Sequence, residues 1–225
     1  MSLQARLDAF KADFQAGRPP YSVPAEVIET MQRATAELLA SGLAERALRA
    51  GEAAPPFTLS DPDGKPVGSA DLLARGPLVV SFYRGVWCPY CNMELQALEA
   101  VRAEVEDLGG SLVAISPQIP VNSRKSRREN GVGFPILSDP GNEVAAAFGL
   151  RFALPDYLVG LYRRLGNELP TFNGEGSWTL PMPGRFVIGQ DRVVRYAEVN
   201  PDYTRRPEPE ELLPVLRQLA ARRAA

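Results

Sequence analysis

Histidine does not occur anywhere in the 225 residues. Its absence removes every mechanism built on imidazole: Ser–His and Cys–His nucleophile pairs, histidine general bases and histidine metal sites. Cysteine is nearly absent as well, the chain carrying 2, Cys88 and Cys91. A closed zinc site takes about four nitrogen or sulfur ligands. One chain with this pair and no histidine can complete it only with carboxylates, so no metal is expected unless a site is shared between chains. Long hydrophobic runs are missing too. None approaches the ~20 apolar residues of a membrane-spanning helix. Charge of one sign is also lacking, with 25 Lys and Arg against 27 Asp and Glu and a net charge of −2. That balance argues against nucleic acid or an anionic membrane as a main partner. The opening MSLQARLDAFKADF interleaves charged with apolar residues, so it lacks the apolar core of a signal peptide. The expected location is the cytoplasm, where thiols stay reduced and a C-x-x-C pair is more often catalytic or metal-binding than structural.

What is present is enough apolar material for a sizeable core, 45% of residues, in a length that suits one domain with additions. The first fifty residues read as helical. Leu3, Leu7, Phe10 and Phe14 recur at helical spacing until GRPP at 17–20 stops the run, and Val27, Ile28, Met31 and Leu38 share a face of a second helix over 25–39. Both stripes are expected to cover the body or a partner subunit. From Gly51 the pattern changes. FTL at 57–59 and the turn DPDGKPV predict a short hairpin. PLVVSFY at 77–83 is a buried central strand, followed by a helix over 89–108 closed by Gly109 and Gly110. SLVAIS at 111–116 is the next buried strand. A polar helix over 121–130 carries Arg124, Lys125, Arg127 and Arg128 on a solvated face. A strand at 134–137, a short helix at 142–148, a hairpin of 185–189 with 193–199 and a last helix over 210–219 complete the pattern. Pro214 predicts a late start or a kink in that helix. The element order is α/β with a mostly parallel sheet. Residues 151–178 fit no simple unit. They read as an insertion holding a helical piece at 156–165, and serve either as a lid or binding loop or as cover for a sheet edge.

The cysteines sit where a buried strand gives way to a helix. The strand ends at Tyr83, the loop RGVW follows, and Pro89 takes the first helical position, which makes Cys88 the N-cap. A sulfur there meets unsatisfied backbone N–H groups and the positive end of the helix dipole, so its pKa should fall below ~8.5. Cys91 stands three residues on, close enough for the two sulfurs to join. Leu95, Leu98, Val101, Val105 and Leu108 face the sheet, and counting back places Cys91 on the core side and Cys88 at the lip. On this reading Cys88 attacks and Cys91 resolves. The plainer alternative is two small buried apolar residues; a C-x-x-C at a strand–loop–helix junction favours redox chemistry.

Several stretches together resemble the alkyl hydroperoxide reductase/thiol-specific antioxidant family of peroxiredoxin-like proteins: GEAAPPFTL, SPQIPVNSRKSRRENGVGFPILSDPGNEVAAAFGL and LPMPGRFVIGQDRVVRY. The resemblance implies a thioredoxin-like fold, a central mixed sheet flanked by helices, here with an N-terminal helical extension at 1–50. The domain would span 51–221 with its insertion at about 151–180. The active-site stretch departs from the family pattern F-Y-P-x-x-x-[TS]-x-x-C-x-x-E. Laid on residues 82–94, that pattern puts Arg84 at the proline, Cys88 at the threonine and Cys91 at the attacking cysteine. The thioredoxin-like W-C-x-x-C fits the same stretch without departure and makes Cys88 the attacker, so the two templates name different nucleophiles. Where peroxiredoxins carry an arginine before the closing hairpin, this chain has Pro183. In thioredoxin-like proteins that position is a cis-proline, which makes Met182–Pro183 an expected cis bond. Arg185, two residues on, and Arg84 in the loop are each available to stabilise a thiolate or a departing hydroxide, or else are surface salt-bridge partners. Trp87 adjoins Cys88 and is placed to report its oxidation.

The resemblance implies a thiol-dependent peroxidase without a cofactor. It would reduce hydroperoxides through Cys88 and Cys91 with electrons from thioredoxin, glutaredoxin or a low-molecular-weight thiol, with a homodimer as one available assembly. The alternative enzyme is a thiol–disulfide oxidoreductase using the same pair. A redox-sensing or non-catalytic binding module is the third class.

Overall fold

The computed structural model describes residues 1–224. Its centre is a seven-stranded sheet of β1 (Thr58–Ser60), β2 (Pro66–Gly68), β3 (Leu78–Phe82), β4 (Ser111–Ser116), β5 (Ile136–Ser138), β8 (Gly184–Ile188) and β9 (Val194–Val199), in the order β2-β1-β5-β4-β3-β8-β9. β6 (Arg151–Ala153) and β7 (Thr179–Pro181) form a separate two-stranded pair. Among the described strands only β3–β4 and β4–β5 pair in parallel. The other pairings of the central sheet are antiparallel. The sheet is therefore mixed, not mostly parallel as the element order alone predicts. The reason is local: both sheet edges are closed by hairpins, β1–β2 and β8–β9, and a hairpin can only pair antiparallel.

The alternation of β3 explains its position. Leu78, Val80 and Phe82 enter one apolar cluster, with Phe148, Leu150 and Phe186. Val79 enters the other, with Leu95, Leu98, Val101 and Val105 of helix α4 (Pro89–Asp107). A strand that feeds both faces must lie between two layers, which is why its residues read as a continuous apolar run. Helix α1 (Leu3–Gln15) buries Leu3 and Leu7 against α4. Helix α2 (Ala25–Ala40) joins a third, smaller cluster with α7 (Asp156–Arg164), through Val27, Leu158, Leu161 and Tyr162. α3 (Ser69–Arg75) and α6 (Glu143–Ala147) cover the opposite face from α4. Helix α5 (Pro120–Asn130) keeps Arg124, Lys125 and Arg128 largely exposed, as its composition predicts. The insertion comprises β6, α7, α8 (Leu169–Asn173) and the approach to β7.

Helix α9 (Leu212–Ala224) follows a 3-10 turn at Pro209–Glu211, so Pro214 falls in its first turn, where the missing N–H has no intrahelical partner to lose. Glu208 begins that turn with a capping box completed by Glu211. Its carboxylate also accepts from the backbone N–H groups of Leu3 (2.8 Å) and Gln4 (3.0 Å), so it caps the start of α1 across the whole length of the chain. Gly149 turns the chain after α6 at φ +74°, and a Cβ there would come within 2.6 Å of the Arg46 carbonyl oxygen.

Candidate active site

Pro89 opens α4 and Cys88 is its N-cap. The preceding loop is held from below. The Val86 N–H donates to Gln118 Oε1 (3.0 Å), while Gln118 Nε2 donates to Tyr83 Oη (2.6 Å) and Ser126 Oγ (3.0 Å). The Val86 carbonyl accepts from Asn92 Nδ2 at 2.8 Å. Gly85 lies in the loop where a side chain would not fit. It adopts φ +150°, and a Cβ there would meet Trp87 Nε1 at 2.6 Å.

The two sulfurs lie 2.6 Å apart, with the Cys91 thiol donating to Cys88 Sγ. Cys88 Sγ also accepts from the Cys91 backbone N–H and from Arg84 Nη2, both at 3.4 Å. Arg84 is itself fixed. Its guanidinium carbon lies 3.8 Å from the centre of the Tyr203 ring and 5.0 Å from that of Trp87, and Nη1 donates to Tyr162 Oη at 3.3 Å. Neither sulfur is exposed. The expectation of Cys88 at the lip is thus corrected: its side relative to Cys91 holds, but aromatic rings and the N-terminal helices close over it. Cys88 borders a cavity of about 450 Å³ lined by Phe10, Phe14, Ile28, Met31, Trp87 and Tyr90 among others, and Cys91 does not. A second cavity of about 230 Å³ adjoins it around Arg84, Tyr162 and Tyr203 and extends to Pro183.

Burial works against ionisation of Cys88, but the hydrogen bond from Cys91 and the charges of Arg84 and Arg206 outweigh it and hold this thiol down at about 5. Cys91 moves the other way, well above the ordinary thiol value, through burial and the hydrogen bond and charge of its neighbour. Of the pair, Cys88 is therefore the sulfur whose surroundings favour the thiolate, and Cys91 the one whose surroundings favour the thiol.

Beneath the sulfurs lies a buried charge group that only its carboxylate hinted at in sequence. Glu94, one turn after Cys91 and the last residue of the pattern laid on 82–94, bridges Arg185 (3.0 Å) and Arg206. Arg206 Nη2 approaches Cys91 Sγ at 3.7 Å. Arg185 meets neither alternative expected for it. It is 1% exposed, so it is no surface partner. It does not touch a sulfur either, because β8 registers it opposite Ser81, one turn below the pair, where it reaches Glu94 and the Glu208 carbonyl. Pro183 also differs from expectation. The cis bond among the described residues is Pro19–Pro20, and Met182–Pro183 is not cis. The chain runs extended from β7 into β8 there. Met182 N–H donates to Leu150 and the Pro183 carbonyl accepts from Asn200, an arrangement a continuing strand satisfies with a trans link. Arg206, Tyr162 and Tyr203 gave no sequence signal. They come from the insertion and from the loop NPDYTRRPEPE, which carries no periodicity.

A buried strand leading through a short loop to a C-x-x-C at a helix N-terminus, beside a mixed sheet closed by a hairpin, defines a thioredoxin-like fold with a paired-thiol site. The chain belongs to the AhpC/TSA family, whose model matches residues 50–197. A Mycobacterium tuberculosis protein whose name assigns it to the peroxiredoxins is 36% identical over 102 residues, 45% of this chain and 64% of that one. The thiol-disulfide oxidoreductase ResA of Halalkalibacterium halodurans is 33% identical over 112 residues, 48% of this chain and 61% of its own. Each alignment spans less than two thirds of the relative's length. The crystal structure of peroxidoxin BcpB from Mycobacterium tuberculosis shares the fold at a TM-score of 0.60 and 24% identity, over 76% of this chain and 98% of that one. Among the described residues no group of three or more His, Cys, Asp or Glu side chains is gathered to hold a metal.

Proposed function

We propose that the protein is a dithiol hydroperoxide reductase in which Cys88 attacks and Cys91 resolves. The observation that carries this reading is a wholly buried sulfur, Cys88 Sγ, that accepts from a guanidinium and from the neighbouring thiol. A sulfur without exposed surface favours a small reacting group. The terminal oxygen of a hydroperoxide needs less room than the in-line approach of a protein disulfide. Cys88 Sγ attacks that oxygen; the S–O bond forms as the O–O bond breaks. The leaving alkoxide or hydroxide, stabilised by Arg84, takes a proton from solvent. The Cys88 sulfenic acid then loses water as Cys91 Sγ attacks it, the Cys91 proton leaving with the hydroxyl, and a disulfide remains. Two electrons from thioredoxin, glutaredoxin or a low-molecular-weight thiol restore the dithiol, and the reducing cytoplasm is the compartment this cycle fits. Arg206 and the Glu94–Arg185 pair are assigned a positioning role beneath Cys91.

The second reading, a thiol–disulfide oxidoreductase, is favoured by one feature: the active-site loop lacks the family's proline and threonine and reads W-C-P-Y-C instead. Cys91→Ser protein treated with one equivalent of hydrogen peroxide and then dimedone separates the two. A dimedone adduct at Cys88, formed faster than on free cysteine, is expected. No adduct, with ready formation of a mixed disulfide from oxidised glutathione, would establish the second reading instead.

A further inference from the structure

The larger cavity is built in good part by residues that precede the family-matched segment 50–197. Phe10 and Phe14 come from α1, Ile28 and Met31 from α2, and Met31 lines both cavities. The wall is also fixed: Phe10 packs edge-on against Tyr90 (5.0 Å between ring centres), and Tyr90 against Tyr203 (5.6 Å). The cavity's cations are Lys11 and Arg84. Neither is free for a substrate carboxylate. Lys11 lies 3.9 Å from Asp202 and donates to Thr204 Oγ1 at 3.1 Å, and Arg84 is directed at Cys88 and Tyr162. Asp202, also in the lining, offsets the charge of Lys11.

Resting on the peroxidase reading, we propose that this chamber selects hydroperoxides bearing a bulky, uncharged apolar tail over both hydrogen peroxide and anionic hydroperoxides, and that α1 and α2 carry the selectivity. The tail lies against Phe10, Ile28 and Met31 while its terminal oxygen meets Cys88 Sγ; the S–O bond forms, the O–O bond breaks, and the alkoxide takes a proton from solvent to leave as the alcohol. Hydrogen peroxide has no surface to bury there and gains nothing from the chamber. A carboxylate-bearing hydroperoxide would carry its charge against a wall without a free cation.

Single-turnover oxidation followed by tryptophan fluorescence tests this with cumene hydroperoxide, hydrogen peroxide and the hydroperoxide of linoleic acid. The second-order constant for cumene hydroperoxide is expected to exceed each of the others by roughly tenfold or more, and the Ile28→Gln/Met31→Gln variant should lose about a tenfold share of that preference. A readout without turnover uses the unmodified protein: cumyl alcohol, which cannot oxidise a thiol, should slow alkylation of Cys88 by iodoacetamide, and an equal concentration of ethanol should not. If hydrogen peroxide reacts fast and cumene hydroperoxide no faster, or if cumyl alcohol gives no protection, the selectivity proposal falls while the peroxidase reading stands. If no peroxide outpaces free cysteine, the peroxidase reading falls and takes this one with it.

Discussion

At neutral pH a thiol held at about 5 is almost wholly ionised, whereas a free thiol near ~8.5 is a few per cent ionised. The pH dependence of alkylation should show this directly. Because folding lowers the Cys88 value, its iodoacetamide rate rises as pH climbs through about 5 and is flat by pH 7, where an unperturbed thiol is still gaining. A rate that keeps rising to pH 9 would mean that burial, not Arg84 and Cys91, dominates. Arg84→Met removes a donor 3.4 Å from the sulfur and should lower the rate at pH 5.5 about tenfold, with little change at pH 9. Of the paired variants, the one that keeps Cys88 (Cys91→Ser) should alkylate faster at pH 7 than the one that keeps Cys91 (Cys88→Ser). The reverse order would make Cys91 the nucleophile, as the family pattern laid on residues 82–94 has it. The positions of Cys88 and Cys91 on the helix could be read from sequence because Pro89 and the stripe from Leu95 to Leu108 fix the helical phase. The third donor to Cys88, the Cys91 thiol itself, could not, because it depends on which of two coupled groups keeps the proton.

The loop between β3 and α4 is shaped by an element distant in sequence. Gln118 follows β4, has no exposed surface, and spends its amide on Val86, Tyr83 and Ser126. Gln118→Leu would leave a buried N–H and a buried phenol short of partners, at about 1–3 kcal/mol. Urea denaturation should register that loss, and the alkylation profile should shift to higher pH as the loop releases Arg84. An unchanged profile in a destabilised variant would confine Gln118 to stability. The long helices and the buried strands β3 and β4 are legible from helical periodicity or a continuous apolar run within their own length, whereas α3, α8, β6 and β7 are too short to carry such a signal. What hid was relations between elements. Strand direction in the sheet depends on hairpins at its edges. The depth at which Arg185 reaches α4 depends on its register against Ser81. Pro183 was read from a position in a pattern, and the backbone there follows the two strands it joins.

Over the whole molecule, the buried group of Glu94 with Arg185 and Arg206 joins α4, the closing hairpin and the loop before α9. Glu94→Ala removes the carboxylate and leaves two guanidinium groups uncompensated in the interior. A loss of about 3–5 kcal/mol in unfolding free energy is expected, measured by guanidinium denaturation of the reduced protein. A loss under about 1 kcal/mol would mean that water reaches the arginines. This group escaped sequence reading because Arg206 sits in a Pro-rich stretch whose composition says only that it is a loop.

Glu208 ties α1, the start of the last helix and, through its carbonyl, Arg185 into one clasp. That clasp joins points 205 residues apart in sequence. During synthesis α1 emerges early and has nothing to hold its leading end until Glu208 leaves the ribosome some two hundred residues later. For that interval the nucleophile lacks part of its roof. A nascent chain stalled before Glu208 should therefore be alkylated at Cys88 faster than the released, folded protein is, and equal rates would mean that the clasp does not govern access.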